Sequence, residues 1–242
     1  MAVSLKNQSA LVVGASSGMG RATAAALARE GARVMAAARR RDRLSELAAE
    51  VRAAAGVLEI FPVDVCDRAL VKEMVATTKK RFGGIDLMVY AAGTNIPDRA
   101  FAVLRPETWD MMLSVNLTGA FNCTYEVVPL MRSSRGGLII YISTISVHVP
   151  DVSGAAYQAS KHGLSGLAHA VRLEEKAHGI RTSVIFPGLC RTELLDKRPA
   201  PTPTEVLANA LEPEDVADAV VALARLEARA VVPEMELLPS RL

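Results

Sequence analysis

Cysteine is scarce in this chain: Cys66, Cys123 and Cys190 are odd in number and show no C-x-x-C spacing, which excludes a disulfide framework and a cysteine zinc site. Buried free thiols are expected. Cys190 follows Pro187-Gly188 closely enough to face a pocket, but no basic residue adjoins it to make a thiolate. Long apolar runs are missing too. Half of the 242 residues are hydrophobic, yet no run approaches the roughly 20 residues that cross a bilayer. Charge of one sign is not in excess, with 28 basic against 26 acidic residues and a net +2. Such a balance gives no field that favours nucleic acid or an anionic membrane. The start, from Met1 to Lys6, has neither the charged nor the apolar segment of a secretion signal, so the cytoplasm is the expected location. His148, His162, His169 and His178 lack the carboxylate pairs and compact spacing of a metal site, and no metal is expected.

Short apolar runs instead alternate with longer amphipathic segments, the pattern of repeated βα units and a parallel sheet. Strands are expected at 10–13, 34–37, 58–61, 85–90, 138–142 and 182–186. Helices are expected at about 18–30, 42–54, 68–82, 106–131 and 155–178. Asp67 and Pro106 suit helix starts, and a last helix should follow Pro213-Glu214-Asp215. Met235 to Leu238 suits an edge strand. Pro199, Pro201 and Pro203 discourage regular structure, so about 190–210 reads as a mobile loop over the substrate. One domain over 1–242 accounts for the whole pattern.

Gly14-Ala15-Ser16-Ser17-Gly18-Met19-Gly20 follows the first strand and opens the first helix, where backbone amides and the helix N-terminus favour a pyrophosphate. The spacing is G-x-x-x-G-x-G, so the strand-loop-helix context carries the reading more than the glycines do. At the end of the second strand, where an acidic residue would accept bonds from a ribose, the chain has Ala38 and then Arg39 and Arg40. A guanidinium suits a 2′-phosphate, which favours NADP(H) over NAD(H). The alternative is that Arg39, Arg40, Arg41 and Arg43 form a solvated helix entrance.

Tyr157 and Lys161 lie four residues apart on an expected helix, on one face. At an effective dielectric of about 20, an ammonium about 5 Å from a phenol favours the phenolate by roughly 3 kcal/mol. Such a phenol exchanges protons near neutrality, as hydride transfer at a carbonyl requires.

Taken with Asp64-Val65 after the third strand, Ala91-Ala92-Gly93 after the fourth, Asn116, and Pro187-Gly188 followed by Thr192, these motifs resemble the short-chain dehydrogenase/reductase family, in its branch of about 250 residues. The resemblance spans essentially the whole chain. It implies a Rossmann-type, doubly wound, mainly parallel α/β sheet with helices on both faces, and an oxidoreductase interconverting a small-molecule carbonyl and an alcohol. By resemblance, Ser16, Ser17 and Met19 complete the phosphate loop, Asp64 and Val65 hold the adenine, and Ala92 and Gly93 meet the ribose. Tyr157 is the acid/base, and Lys161 also binds the nicotinamide ribose. Asn116 keeps a water in a proton relay, while Pro187, Gly188 and Thr192 flank the nicotinamide. A homo-oligomer, tetramer or dimer, is likewise implied.

Two positions depart from the family pattern. The serine expected thirteen residues before the tyrosine is Thr144, with Ser143 beside it as the fallback. Tyr90-Ala91 stands where the family often has two asparagines, a matter of local stability. The ending from Val232 to Pro239, with the short segment after Thr192, is similar to a subgroup of NADP-dependent reductases of small hydroxy acids and related alcohols, which slightly favours a small or medium polar carbonyl. Thr94, Asn95, Ile145, His148, Val149, Pro150, Leu189 and Leu194 are candidate pocket walls, and their partly apolar mixture demands no charged substrate. Trp109, Met111 and Met112 read as core filling. Two other functions compete with carbonyl reduction: a 3-oxoacyl thioester reductase, for which Arg132 and Arg135 would be a carrier-docking patch if not a solvated face, and a non-catalytic NADP(H)-binding regulator.

Overall fold

The computed structural model describes residues 3–134 and 136–241. Seven parallel strands form one sheet in the order β3-β2-β1-β4-β5-β6-β7. They are β1 (Ser9–Val13), β2 (Arg33–Ala38), β3 (Val57–Pro62), β4 (Leu87–Tyr90), β5 (Gly137–Ile142), β6 (Ile180–Pro187) and β7 (Glu234–Leu237). The six internal runs and the C-terminal edge strand all fall where the sequence places them, with ends shifted by up to two residues.

Alternating side chains along each strand serve two cores, as a pleated sheet covered on both faces requires. Ala10, Val12, Val34, Ala36, Val89 and Ile140 face α1 (Gly18–Arg29), α2 (Arg41–Ala53) and the last helix, α8 (Pro213–Ala224). Leu11, Val13, Met35, Met88, Tyr90 and Ile139 face α3 (Arg68–Phe82), α5 (Gly119–Ser133) and α6 (Ala155–Glu175). Asp67 caps α3 as expected, accepting from the amides of Ala69 at 2.9 Å and Leu70 at 3.1 Å.

The expected helix at 106–131 is broken. It consists of α4 (Pro106–Leu113), a π turn over Ser114–Thr118, and α5. A cause lies in the sheet: the buried Tyr90 hydroxyl donates to the Val115 carbonyl at 2.6 Å, drawing that oxygen out of the regular ladder. Tyr90 is one of the positions that depart from the family pattern, and this bond ties it to the turn between α4 and α5. Tyr90→Phe leaves the Val115 carbonyl without its donor and is expected to cost about 1–2 kcal/mol. Thermal denaturation checks this, and an unchanged midpoint would contradict it.

The proline-rich segment holds a 3-10 turn at Glu193–Lys197 and a single helical turn, α7 (Thr204–Leu207). Cys190 is buried and bridged to Leu211, away from the cleft, and burial pushes its thiol up to about 12. Among the described residues no group of three metal-binding side chains gathers, and no helix is long and apolar enough to cross a membrane.

Candidate active site

The strand order reverses between β1, which pairs with β2, and β4, so the loops that leave β1 and β4 separate to opposite faces and open a crevice. Gly14 (φ 90°) sits at that point: a side chain there would lie 2.5 Å from the Ala92 amide nitrogen. Glycine is required by both the backbone angle and the close approach.

A cleft of about 320 Å³ follows the crevice. Its wall contains Gly14, Ser16, Ser17, Gly18, Met19 and Gly20 from the first loop, Arg39 and Arg40 after β2, and Asp64 and Val65 after β3. Ala92 and Gly93 after β4, Tyr157 and Lys161 on α6, and Thr192 after β6 continue it. Fifteen of the sequence-selected positions therefore converge on one surface. Ser17 caps α1 without a side-chain bond, so the first-turn amides are left to a ligand.

Pro187 and Gly188, at the end of β6, are not among the residues that line the cleft. Pro187 pairs with Leu237, and the Gly188 amide donates to the Leu237 carbonyl at 2.8 Å. A side chain at Gly188 would strike Pro239 at 2.7 Å. Both lie at the seam between β6 and β7.

Arg40 spans the cleft mouth. It donates to Ser17 Oγ at 2.6 Å and to Ser16 Oγ at 3.3 Å, and pairs with Glu193 at 2.8 Å. Val65 is held from α5, where Asn122 Nδ2 donates to its carbonyl at 2.9 Å.

At the other end, Tyr157 and Lys161 are 8% and 5% exposed and share one face of α6. The expected electrostatics are not those of the protein alone. Burial pushes the Tyr157 phenol up to about 12, and burial pushes the Lys161 ammonium down to about 8. Desolvation penalises both charged forms and outweighs mutual attraction. The ammonium lies 5.8 Å from the phenol ring centroid and donates to the Ile142 carbonyl at 2.9 Å. What offsets burial at the phenol is the Thr144 hydroxyl, with Arg99 and Arg198.

Thr144 and Ser143 are separated by the pleat. Ser143 is buried and donates to the Lys161 carbonyl at 3.3 Å, although it also borders the cleft. Thr144, extended at the end of β5, is the hydroxyl beside Tyr157. Asn116 is fully buried in the π turn. Its Oδ1 accepts from the Thr94 amide at 2.7 Å, and its Nδ2 donates to the Thr94 carbonyl at 3.1 Å and to Ser160 Oγ at 3.0 Å. The side chain clamps the loop after β4 onto α6 and has no bond to Lys161.

Of the candidate walls, Thr94 and Leu194 border the cleft. His148 turns to Phe186 and Glu236 instead. Trp109 packs with Met112, Ile96, Leu104 and Leu194 against Tyr157, as core filling, while Met111 is exposed rather than buried. Ala38 and Ala91 also border the cleft, as do Val63, Val115, Ile142, Glu193 and Lys197, which were not legible in the motifs. Arg132 is bound to Glu175 in two contacts, one of 2.6 Å. Arg135 lies outside the described residues.

Such a fold, with a glycine loop at its switch point and a buried tyrosine and lysine in the same crevice, defines a dinucleotide-dependent oxidoreductase architecture. The chain belongs to the short chain dehydrogenase family, whose sequence profile matches residues 8–202. A 3-oxoacyl-(acyl-carrier-protein) reductase FabG from Thermotoga maritima is 32% identical over 225 residues, 91% of this chain and 91% of its own. A 3beta-hydroxysteroid dehydrogenase from Mediterraneibacter gnavus is 34% identical over 205 residues, 85% of this chain and 74% of its own. A metagenomic short-chain oxidoreductase solved in complex with NADP superposes with a TM-score of 0.85 at 31% identity, covering 98% of this chain and 100% of that one.

Proposed function

We propose that the protein is an NADP(H)-dependent oxidoreductase that interconverts a carbonyl and an alcohol, with Tyr157 as the acid/base. The observation that carries this reading is the convergence of Tyr157, Lys161, the glycine loop and Arg39 with Arg40 on one cleft. The residues fit a dinucleotide: a glycine loop bordering the cleft, first-turn amides of α1 that no side chain caps, guanidiniums at one end and an ammonium at the other.

When bound, the nicotinamide supplies the hydride. Tyr157 gives its proton to the carbonyl oxygen in reduction, and a phenol raised to about 12 is fully protonated at neutral pH. Thr144 donates to the same oxygen and fixes its direction. Lys161, directed to the Ile142 carbonyl and Gly93, binds the ribose hydroxyls and keeps positive charge beneath the developing oxyanion. Asn116 holds the Gly93-Thr94 turn in place for both. Thr192 contacts Gly18 across the cleft and closes its nicotinamide end.

Arg39, at the end of β2 where the strand is followed by no acidic residue, supports NADP(H), as does the NADP held by the metagenomic relative, while Arg40 would exchange its bond to Glu193 for the phosphate. kcat/KM measured with both cofactors over a panel of ketones and aldehydes tests the assignment. NADPH is expected to be favoured by about tenfold to a hundredfold. Preference for NADH would remove the phosphate role of the arginines, and no turnover with either would favour a non-catalytic dinucleotide-binding regulator.

The 91% span shared with the 3-oxoacyl reductase favours a second reading, reduction of a 3-oxoacyl thioester. An acetoacetyl thioester discriminates between them. Phe121 and Tyr125 stack on the exposed face of α5 with centroids 5.8 Å apart, which supports self-association through that helix.

A further inference from the structure

Two neighbouring guanidiniums border the phosphate end of the cleft, and they are held differently. Arg39 makes no ion pair among the described residues. Arg40 has each of its three guanidinium nitrogens engaged across the cleft mouth. Nη2 donates to Ser17 Oγ at 2.6 Å, Nε to Ser16 Oγ at 3.3 Å, and Nη1 to Glu193 Oε2 at 2.8 Å. Ser16, Ser17 and Glu193 border the same cleft, so Arg40 is bound entirely by groups that a nucleotide would also meet.

Glu193 reaches Arg40 from the far side of the crevice. It opens the 3-10 turn after β6 and stands 153 residues along the chain from its partner. The turn is tied at both ends: Thr192, directly before it, lies against Gly18, and Lys197, its last residue, donates to Thr94 Oγ1 at 3.0 Å. The carboxylate is therefore aimed at the mouth rather than swept there by a free loop. A carboxylate beside a phosphate path repels the anion that enters, and here it also occupies the guanidinium that the anion needs. The two side chains are 43% and 48% exposed, and an ion pair that open to water is weak. A phosphate monoester, with close to two charges and three acceptor oxygens, is the stronger partner for a guanidinium.

We propose, on the basis of the NADP(H) reading above, that Glu193 is a specificity-determining residue: its carboxylate competes with the 2′-phosphate of the cofactor for Arg40 and so limits how strongly NADPH is favoured over NADH. NADH has no 2′-phosphate, and with it Arg40 keeps Glu193. With NADPH, Arg40 turns to the phosphate and Glu193 is released to water. Breaking the pair subtracts from the affinity for NADPH and leaves that for NADH untouched. Arg39 has no ion pair to give up, so its attraction for the phosphate counts in full.

Fluorescence titrations of NADPH and of NADH into the full chain test this in four proteins: wild type, Glu193→Gln, Arg40→Met and the double variant, with thermal melts checking that each is folded. Glu193→Gln keeps the side chain's length and removes its charge. It is expected to tighten NADPH by about fivefold and to leave NADH within about twofold, so the preference for NADPH rises by about fivefold. With Arg40→Met already in place, the same change should move the preference by less than about twofold, because no guanidinium is left to compete for and a solvated carboxylate is screened. Should Arg40→Met not fold, the two titrations of Glu193→Gln carry the comparison alone. A preference unchanged or lowered in folded Glu193→Gln overturns the proposal. So does an equal rise in both backgrounds, which marks general repulsion, and so does NADH tightened as much as NADPH, which places the carboxylate against the pyrophosphate that both share. Each of these results leaves the oxidoreductase reading standing. Binding of neither nucleotide to the wild type is a distinguishable result that removes that reading together with the proposal.

Discussion

Lys161→Met is expected to make the isolated protein more stable at pH 7 while removing most of its turnover. The Lys161 ammonium is buried, and burial moves its pKa from 10.5 to about 8. That difference of roughly 2.5 units corresponds to about 3 kcal/mol of destabilisation wherever the group is charged in both folded and unfolded chains. Methionine relieves it but strips the Ile142 carbonyl of its donor, which costs about 1–2 kcal/mol. A net gain of about 1–2 kcal/mol remains, or roughly 2–8 °C in Tm for a chain of this size.

The sign with pH follows. Below about 8 the lysine is charged in both states and the penalty is fully present. Between about 8 and 10.5 the unfolded chain binds the extra proton, so wild-type stability from this group rises with pH. The variant's advantage therefore shrinks over that window and is gone above it. Thermal melts of both proteins from neutral to alkaline pH check this. A variant less stable at pH 7, or an advantage indifferent to pH, would contradict it.

Tyr157→Phe carries the larger functional effect. Phenylalanine keeps the ring against Met112, Ala156 and Trp109 and deletes only the hydroxyl. A positioned general acid contributes about a hundredfold to ten-thousandfold, so kcat for reduction is expected to fall by about a thousandfold. Binding of NADPH should change by less than about threefold, since the glycine loop, Arg39 and Arg40 remain. Steady-state rates and a fluorescence titration of NADPH report the two quantities separately.

Much of the scaffold was legible because it rests on local chemistry. Short continuous apolar runs between amphipathic segments located β1 to β6, and glycines before a helix located the phosphate loop. Spacing put Tyr157 and Lys161 on one face of α6. Burial was not legible, and it reverses the expected direction of the Tyr157 shift, since a charged neighbour counts for less than the loss of water around both groups. The π turn was hidden as well, because a helical period in 106–131 does not reveal that Tyr90, from a strand, claims the Val115 carbonyl. Arg99 reads in sequence as an ordinary loop residue. Its burial depends on Gly154, brought beside it only by the fold. The pairing of Pro187 and Gly188 with β7 depends on the chain end returning to the sheet, which motif order alone does not reveal.

The central claim is that the Tyr157 hydroxyl supplies the proton in a reduction driven by bound NADPH. A single-turnover experiment tests it most directly: preformed complexes of NADPH with wild type and with Tyr157→Phe are mixed with a carbonyl substrate, and loss of dihydronicotinamide absorbance is followed. The account predicts oxidation in the wild-type complex and a rate slower by about a thousandfold in the variant at equal NADPH occupancy. Equal rates in the two complexes would contradict it.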